Sequence, residues 1–300
     1  MTDQQWLAER FEEQRPRLRG VAYRMLGSLS EADDAVQDAW LRVSRADANQ
    51  IDNLGGWLTT IVARVALNML RSRTTRREQP LDSRVPDPVV GPADGTNPEH
   101  EALLADSVGL ALLVVLETLS PAERLAFVLH DMFAMPFDAI APLVERSPEA
   151  TRQLASRARR RVRGTAPIPD ASLAAQWEVV DAFLAAGRTG DLEALVAVLH
   201  PDVVLRADGG LSGLSHHAQG AQAVAGQAAM WARAGLTVRR ALVNGAAGLV
   251  SQRDGRPFSV GAFTIREGKI VEFDILVDGT GEGLAALCDG QSLSSAPLQA

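Results

Sequence analysis

The residues best suited to do chemistry in this chain are arginines. The stretch 146–163 carries seven of them against one acid, Glu149. A guanidinium is always charged and presents its donors in a fixed fork, so a cluster of them is suited to phosphate. The patch is local, because the whole chain has a formal net charge of -7. Residues 170–300 hold 9 basic and 14 acidic side chains, and residues 1–169 hold 21 and 23. A second positive cluster is Arg71, Arg73, Arg76 and Arg77. An acidic chain with two basic patches argues for placed contacts with a polyanion, not for a general nucleic-acid coat.

The elements that must position these arginines follow from spacing. On a helix over 147–163, Ser147 is the cap and Pro148 fits the first turn. Ala150, Leu154, Ala158 and Val162 recur every four residues and are the expected buried stripe. Arg152, Arg157, Arg159, Arg160 and Arg163 then project elsewhere. A short helix over 137–144 precedes, joined by the tight turn ERS. Two helices so spaced resemble a helix-turn-helix, whose second helix enters the major groove. Gln153, Ser156 and Arg157 are placed to reach base edges and the later arginines, Arg159 and Arg160 among them, to hold phosphates, with Arg152 a further DNA-binding candidate. The bland alternative is a solvated basic helix end, since cations favour a helix C-terminus. Pro142 should kink the first helix, and Glu145 and Arg146 stand in a turn where glycine is common.

Residues 6–77 read as helices. In EADDAVQDAWLRV (31–43), Val36, Ala39, Trp40 and Val43 share one face, with Ser30 as the expected N-cap. Asp33, Asp34, Gln37 and Asp38 fall mostly opposite. In GWLTTIVARVALNMLRSR (56–73), Leu58, Ile61, Val62, Val65 and Met69 form the buried side. Trp57, Thr60, Arg64, Asn68 and Arg71 recur along another. Residues 78–99 hold five prolines and two glycines and read as a linker or ordered loop. Helical pattern returns over 100–163, with Ser120 as N-cap and Pro121 at the first helical position. GTAPIPD (164–170) is a second seam. Beyond it, a helix over 172–187 and GDLEALVAVLH precede alternating stretches, with turn signals at RDGRP and REGK. Helices followed by a run of antiparallel strands imply a small α+β domain.

Composition narrows the setting. One cysteine, Cys288, excludes an intrachain disulfide framework and a cysteine-rich metal site. The polar start MTDQQWLAER is no signal peptide, and no apolar run reaches membrane-span length. A cytoplasmic protein without cofactor or metal is the expectation.

In combination, LGSLSEADDAVQDAWLRV, GGWLTTIVARVALNMLRSRTTRRE and LSPAERLAFVLHDMFAMPFDAIAPLV followed by ATRQLASRARR resemble sigma-70 factors of the extracytoplasmic-function (ECF) type. The resemblance covers residues 6–163. It implies two all-α sigma domains, region 2 over 1–77 and region 4 with its helix-turn-helix over 100–164, joined by the linker 78–99. It implies core RNA polymerase and promoter DNA as partners. Asp33, Asp34, Gln37 and Asp38 would dock on polymerase. Trp57, Arg64, Asn68, Arg71 and Arg73 would open and hold the −10 element, and the helix-turn-helix would read the −35 element. Melted DNA needs planar surfaces for bases and cations for the backbone, which suits that assignment.

The remainder resembles the SigJ-like subgroup of these factors, which carries a WLPEPVV-like linker and a C-terminal SnoaL-like domain. Pro86, Asp87, Pro88, Val89 and Val90 match the linker, and Arg84 and Val85 stand where Trp and Leu are expected. Residues 171–288 resemble the α+β SnoaL-like cone, with 289–300 as a tail. Asp208, Gly209 and Gly210 match part of a DGGG-like motif, Leu211 replaces its last glycine, and VDGTGEGL (277–284) stands in place of the usual NPDKL-like ending. The resemblance implies regulation in cis through Asp87, Asp208, Gly209 and Gly210. It implies no separate anti-sigma protein, and a pocket that could hold a small ligand.

Two rivals differ in class. A ligand-sensing helix-turn-helix regulator would need region 4 and the pocket but not the region 2 surface. An enzyme would draw on His200, Asp202, Asp208, His216, His217 or Asp274 as acid and base. Among these, His200 reads as a helix-end residue and His216–His217 as a loop pair, and no spacing amounts to a catalytic signature.

Overall fold

A computed structural model describes residues 3–45, 51, 53–75, 85–93, 109–165, 172–209, 215–278 and 284. The chain divides into two units. One comprises Met1–Pro80, Glu101–Asp106 and Val115–Thr165, the other Leu81–His100, Ser107–Val114 and Ala166–Ala300.

The helical unit opens with α1 (Asp3–Leu26), α2 (Leu29–Val43) and α3 (Leu54–Thr75). Phe11, Leu18, Met25, Val36, Leu58 and Leu67 are buried in it, each stabilising the fold by roughly 1.5–3 kcal/mol. On α2, Val36, Ala39 and Val43 are buried as expected, joined by Ala32 and Ala35. Trp40 is half-buried, its ring 5.0 Å from that of Phe11. The cap position is Ser28 and not Ser30, because the helix starts two residues earlier, at Leu29. The Ser28 and Ser30 hydroxyls bond each other at 3.1 Å.

Next come α4 (Leu110–Glu117), through which the division between units passes, and α5 (Pro121–Phe127), which continues as a π turn over Val128–Met132. Ser120 and Glu123 cap α5 reciprocally, with Pro121 in the first turn. α6 (Phe137–Val144) holds Pro142 on its exposed side. α6 ends at Glu145 in the left-handed region, φ 56° and ψ 47°, and the Arg146 N–H donates to the Ala141 carbonyl at 3.1 Å. α7 (Pro148–Thr165) is capped by the Ser147 hydroxyl, which accepts from the Ala150 N–H at 3.2 Å. Its buried side is Thr151, Ala155 and Ala158, with Ala150, Leu154 and Val162 only half-buried. The expected stripe ran every four residues, and such a row drifts about 40° per step around an α-helix. Mixing steps of three and four keeps the row on one face.

The second unit is a curved sheet with helices against one face. α8 (Leu173–Thr189) and α9 (Leu192–Val198) are capped by the side chains of Ser172 and Asp191. Then come β2 (Leu199–Asp208), β3 (His216–Gln219), α10 (Ala221–Ala232), β4 (Thr237–Val243), β5 (Ala246–Arg253), β6 (Arg256–Arg266) and β7 (Lys269–Val277). With β1 (Val90–Gly91), the strand order is β1-β4-β5-β6-β7-β2-β3. Asn244–Gly245, Asp254–Gly255 and Glu267–Gly268 all have positive φ, and they turn the three hairpins of β4–β7. That conformation matches the right-handed twist of the strands.

Three details differ from the sequence expectation. The sheet is mixed, because β2 pairs with β7 in parallel. His200 lies in β2, where its Nδ1 accepts from the Asp202 N–H at 3.1 Å. His216 and His217 lie in β3, opposite Ala207 and Arg206. On the helix-covered face, Phe263 stacks on Phe273 at 4.3 Å and Phe183 meets both rings edge-on. No helix among the described residues is long and apolar enough to cross a membrane.

Candidate nucleic-acid surfaces, linker contact and cavity

On α7, Arg152, Gln153, Ser156, Arg157 and Arg160 are exposed along one side. The guanidinium of Arg152 lies over the Phe137 ring at 5.6 Å. Arg157 and Arg161 flank Glu123 at 3.3 and 3.7 Å, and Arg159 pairs with Asp131 at 2.6 Å. Burial pushes the Glu123 carboxyl up, but the Ser120 hydroxyl and N–H, with the two arginines, hold it below its ordinary value. Arg160 and Arg163 make no ion pair among the described residues. The arginine ends of the Glu123 pairs are exposed while the Glu123 and Asp131 carboxylates are largely covered. The sequence patterns did not show that Glu123 and Asp131 aim three of the arginines.

On α3, Arg64, Asn68 and Arg71 are exposed and Trp57 is half-buried, forming a continuous stripe. Arg71 lies 3.7 Å from Glu145, in the turn of the helix-turn-helix. Arg73 is placed differently. Its Nη1 donates to the Leu26 carbonyl at 3.1 Å and its Nε to Glu31 at 3.2 Å, holding α3 to the end of α1 and the start of α2. On α2, Asp33 receives a bidentate grip from Arg19 at 2.6 and 3.0 Å, and Asp38 pairs with Arg42 at 2.7 Å. Asp34 and Gln37 are exposed and make no such contact among the described residues.

The two helical blocks pack on each other within the first unit. Arg124 of α5 is 3% exposed. Its Nη1 donates to the Met25 carbonyl at 2.8 Å and to Glu117 at 2.9 Å. Arg24 of α1 lies over the Phe133 ring at 5.2 Å.

The linker belongs to the sheet of the second unit. The Val85 N–H donates to Asp208 at 3.1 Å and the Val89 N–H to the Asn244 side-chain oxygen at 3.0 Å. The Asn244 N–H returns a bond to the Val89 carbonyl at 2.8 Å. β1 then pairs antiparallel with β4, Val90 opposite Val243 and Gly91 opposite Leu242. Val85, Val89, Val90, Asp208 and Asn244 are all buried. Asp208 ends β2 and Asn244 follows β4, so the segment crosses four inter-strand steps. Asp87 is half-buried, Gly209 is buried, and Gly210 lies outside the described residues. Asn244 was not foreseen; its only sequence signal is an Asn-Gly pair between two strands.

A cavity of about 490 Å³ opens between α8, α10 and the sheet. Phe183, Leu205, Leu249, Ser251, Ser259 and Phe273 are among its buried walls, and Arg188, Ala232 and Thr237 are its exposed rim. None of His200, Asp202, Asp208, His216, His217 or Asp274 lines it. Asp274 points from the opposite face of β7, where Arg206 bonds it at 2.7 Å and Glu272 at 2.9 Å. Burial pushes Asp274 up to about 6 against the pull of Arg206, while Glu272 beside it adds to the rise. The two carboxylates hold Arg206 above its ordinary value in spite of burial. No group of three or more His, Cys, Asp or Glu among the described residues could hold a metal ion.

Comparison with known proteins agrees with this layout. Residues 10–76 match the sigma-70 region 2 family and residues 109–162 the sigma-70 region 4 family. The chain is 44% identical over 202 residues to the ECF RNA polymerase sigma factor SigJ of Mycobacterium tuberculosis, covering 66% of this chain and 64% of that one. It is 38% identical over 183 residues to the probable ECF sigma factor SigI of the same organism, covering 61% and 63%. The matched stretch thus spans a little under two thirds of these curated relatives. The crystal structure of M. tuberculosis SigJ superposes with a TM-score of 0.72 at 34% identity, covering 91% of this chain and 97% of that one. Two sigma-70 regions in order, followed by a cone-shaped α+β domain that takes in the linker, make this chain a member of the ECF sigma factors of the sigma-70 family.

Proposed function

We propose that the chain is an alternative sigma factor that directs core RNA polymerase to specific promoters, with its C-terminal domain regulating it in cis. The observation that carries this reading is a pair of surfaces in one unit, a base-reading helix and a melting stripe. Gln153, Ser156 and Arg157 on α7 face outward to read −35 bases, with Arg152, Arg159 and Arg160 on the phosphates. Trp57, Arg64, Asn68 and Arg71 form the −10 surface, with Arg73 holding α3 in place beneath it. Asp33, Asp34, Gln37 and Asp38 form the polymerase-facing side of α2.

The packing of the helical unit gives this reading a resting state. Arg71 of the −10 surface sits 3.7 Å from Glu145 in the turn before the −35 helix. The two promoter elements are separated by roughly 85 Å, at about 3.4 Å per base pair. Promoter engagement therefore requires the helical blocks to part. The docked linker, held through Asp208 and Asn244, is the route by which the C-terminal domain limits that parting, without a separate anti-sigma protein. Domain limits of 1–77, 100–164 and 171–288 suit such a division of labour, in the cytoplasm. We read the C-terminal domain as a binding module and not an enzyme, because its candidate acids and bases lie away from the cavity.

The test is in vitro transcription on genomic fragments with core polymerase, comparing the full chain with residues 1–169. Initiation by either supports the assignment, and the difference between them gives the sign of the regulation. Duplex binding without initiation by either would favour the ligand-sensing regulator instead.

A further inference from the structure

The structure points to the cavity of the second unit as a binding site for a small, flat, largely apolar molecule with one neutral oxygen function, a hydroxyl or a carbonyl. This rests on the reading above only for its regulatory meaning. The binding itself stands on the cavity.

Its volume of about 490 Å³ lies within the range of roughly 300–1,000 Å³ typical of small-molecule sites. The rings of Phe183, Trp231 and Phe273 give it flat apolar walls. At its floor stand two hydroxyls. Ser251 and Ser259 are direct partners in the β5–β6 ladder. They share parity with Leu249 and Phe263, so both side chains enter the helix-covered face. They are 6% and 2% exposed, and neither hydroxyl is hydrogen-bonded among the described residues. Both residues line the cavity, and the two hydroxyls stand side by side on an otherwise apolar wall that offers them no partner among the described residues. A ligand hydroxyl can accept from one and donate to the other, and a carbonyl oxygen can accept from both.

What the walls lack sets the class further. Among the described residues, no carboxylate, histidine, cysteine or lysine lines the cavity. A cationic ligand would have no counter-charge there, and the serines have no base beside them to make a nucleophile. The molecule is held and not turned over. Arg188 stands exposed at the rim without an ion pair among the described residues, so an acidic substituent is tolerated at the solvent end.

The probe is 2-naphthol, added to the full chain and followed by its own fluorescence and by the thermal midpoint. Saturable one-to-one binding is expected, with a midpoint that rises with probe concentration. Naphthalene, which lacks the oxygen, should bind about two- to tenfold more weakly. The Ser251→Ala, Ser259→Ala double variant should abolish that difference while still binding both. Absence of saturable binding overturns the proposal, as does an unchanged preference for the naphthol in the double variant. Should that variant misfold, the wild-type comparison of the two probes decides alone, and equal binding overturns it. Transcription without probe tests the sigma assignment separately, so either reading can fail while the other stands.

Discussion

The guanidinium of Arg124, on α5 in the region 4 block, donates to the carbonyl oxygen of Met25, at the end of α1 in the region 2 block, at 2.8 Å. It is 3% exposed and also pairs with Glu117. A charge held so far from water depends on its partners, and here Nη1 carries both bonds while Nε is buried without one among the described residues. The bond pins the region 4 helices to the end of α1 in the region 2 block.

Arg124→Met keeps the stem and removes the charge. Without its partner the Met25 carbonyl is left buried, and the contact between blocks weakens by about 1–3 kcal/mol. Scattering should then show a larger radius of gyration than the native chain, while the circular dichroism of the helices stays the same. An unchanged radius would show that the pin does not hold the closed state.

Asn244 does two jobs, and glycine separates them. Asn244 has φ 51° in the turn after β4, and its side chain accepts from Val89. Asn244→Gly keeps the turn, because glycine adopts that φ freely, but deletes the side-chain bond to the linker. Amide exchange at Val89–Gly91 should speed up about tenfold, corresponding to about 1.4 kcal/mol, while the β5–β6 hairpin is unchanged. Equal protection in both proteins would show that β1 pairing alone holds the strap.

Neighbouring arginines on α7 should behave differently toward DNA. Arg160 makes no ion pair among the described residues, whereas Arg159 is held at 2.6 Å by Asp131. Arg160→Ala should weaken promoter binding by holoenzyme across all sequences and reduce the salt slope by about one. Arg159→Ala should do less, since its guanidinium must first leave a carboxylate. Gln153→Ala should instead relax preference at one base position, by about 1–3 kcal/mol. Competition binding at several salt concentrations distinguishes the three.

The buried trio of Arg206, Glu272 and Asp274 gives a pH signature with a definite sign. Asp274 rises from 3.8 to about 6 in the folded chain, so the folded state binds a proton more tightly than the unfolded one. Its contribution to stability is greatest below pH 4, falls as pH rises from 4 to 6, and is level above that. Asp274→Asn retains the acceptor and removes one of two carboxylates sharing a single guanidinium. The variant should be more stable than the native chain at pH 7.5 and about equal at pH 4. Urea unfolding at both values checks this, and a lower stability at pH 7.5 would mean the Arg206–Asp274 attraction exceeds the burial penalty.

Much of the fold was legible because it rests on local signals. Ser120 with Glu123, Ser147 before Pro148, and the Asp254–Gly255 and Glu267–Gly268 turns each declare an element boundary within four residues. The exposed stripe Arg64, Asn68 and Arg71 followed from helical period alone. What stayed hidden depends on residues distant in the chain. Arg73 looks like its neighbours in sequence, and the Leu26 carbonyl and Glu31, 47 and 42 positions away, make it a pin. The parallel pairing of β2 with β7 and the Asn244 grip on Val89, 155 positions apart, leave no periodic trace. The two cavity serines belong to an ordinary alternating strand pattern until their register sets them opposite one another.

The linker strand also decides what the molecule can afford to expose. β4 has β5 on one side and only the two residues of β1 on the other. If the strap leaves, the rest of β4 and the partners of Val90 and Gly91 form a longer bare sheet edge, a ready template for a foreign strand. Without the strap the domain would be prone to self-association through that edge. A strap of two paired residues thus guards an edge far longer than itself.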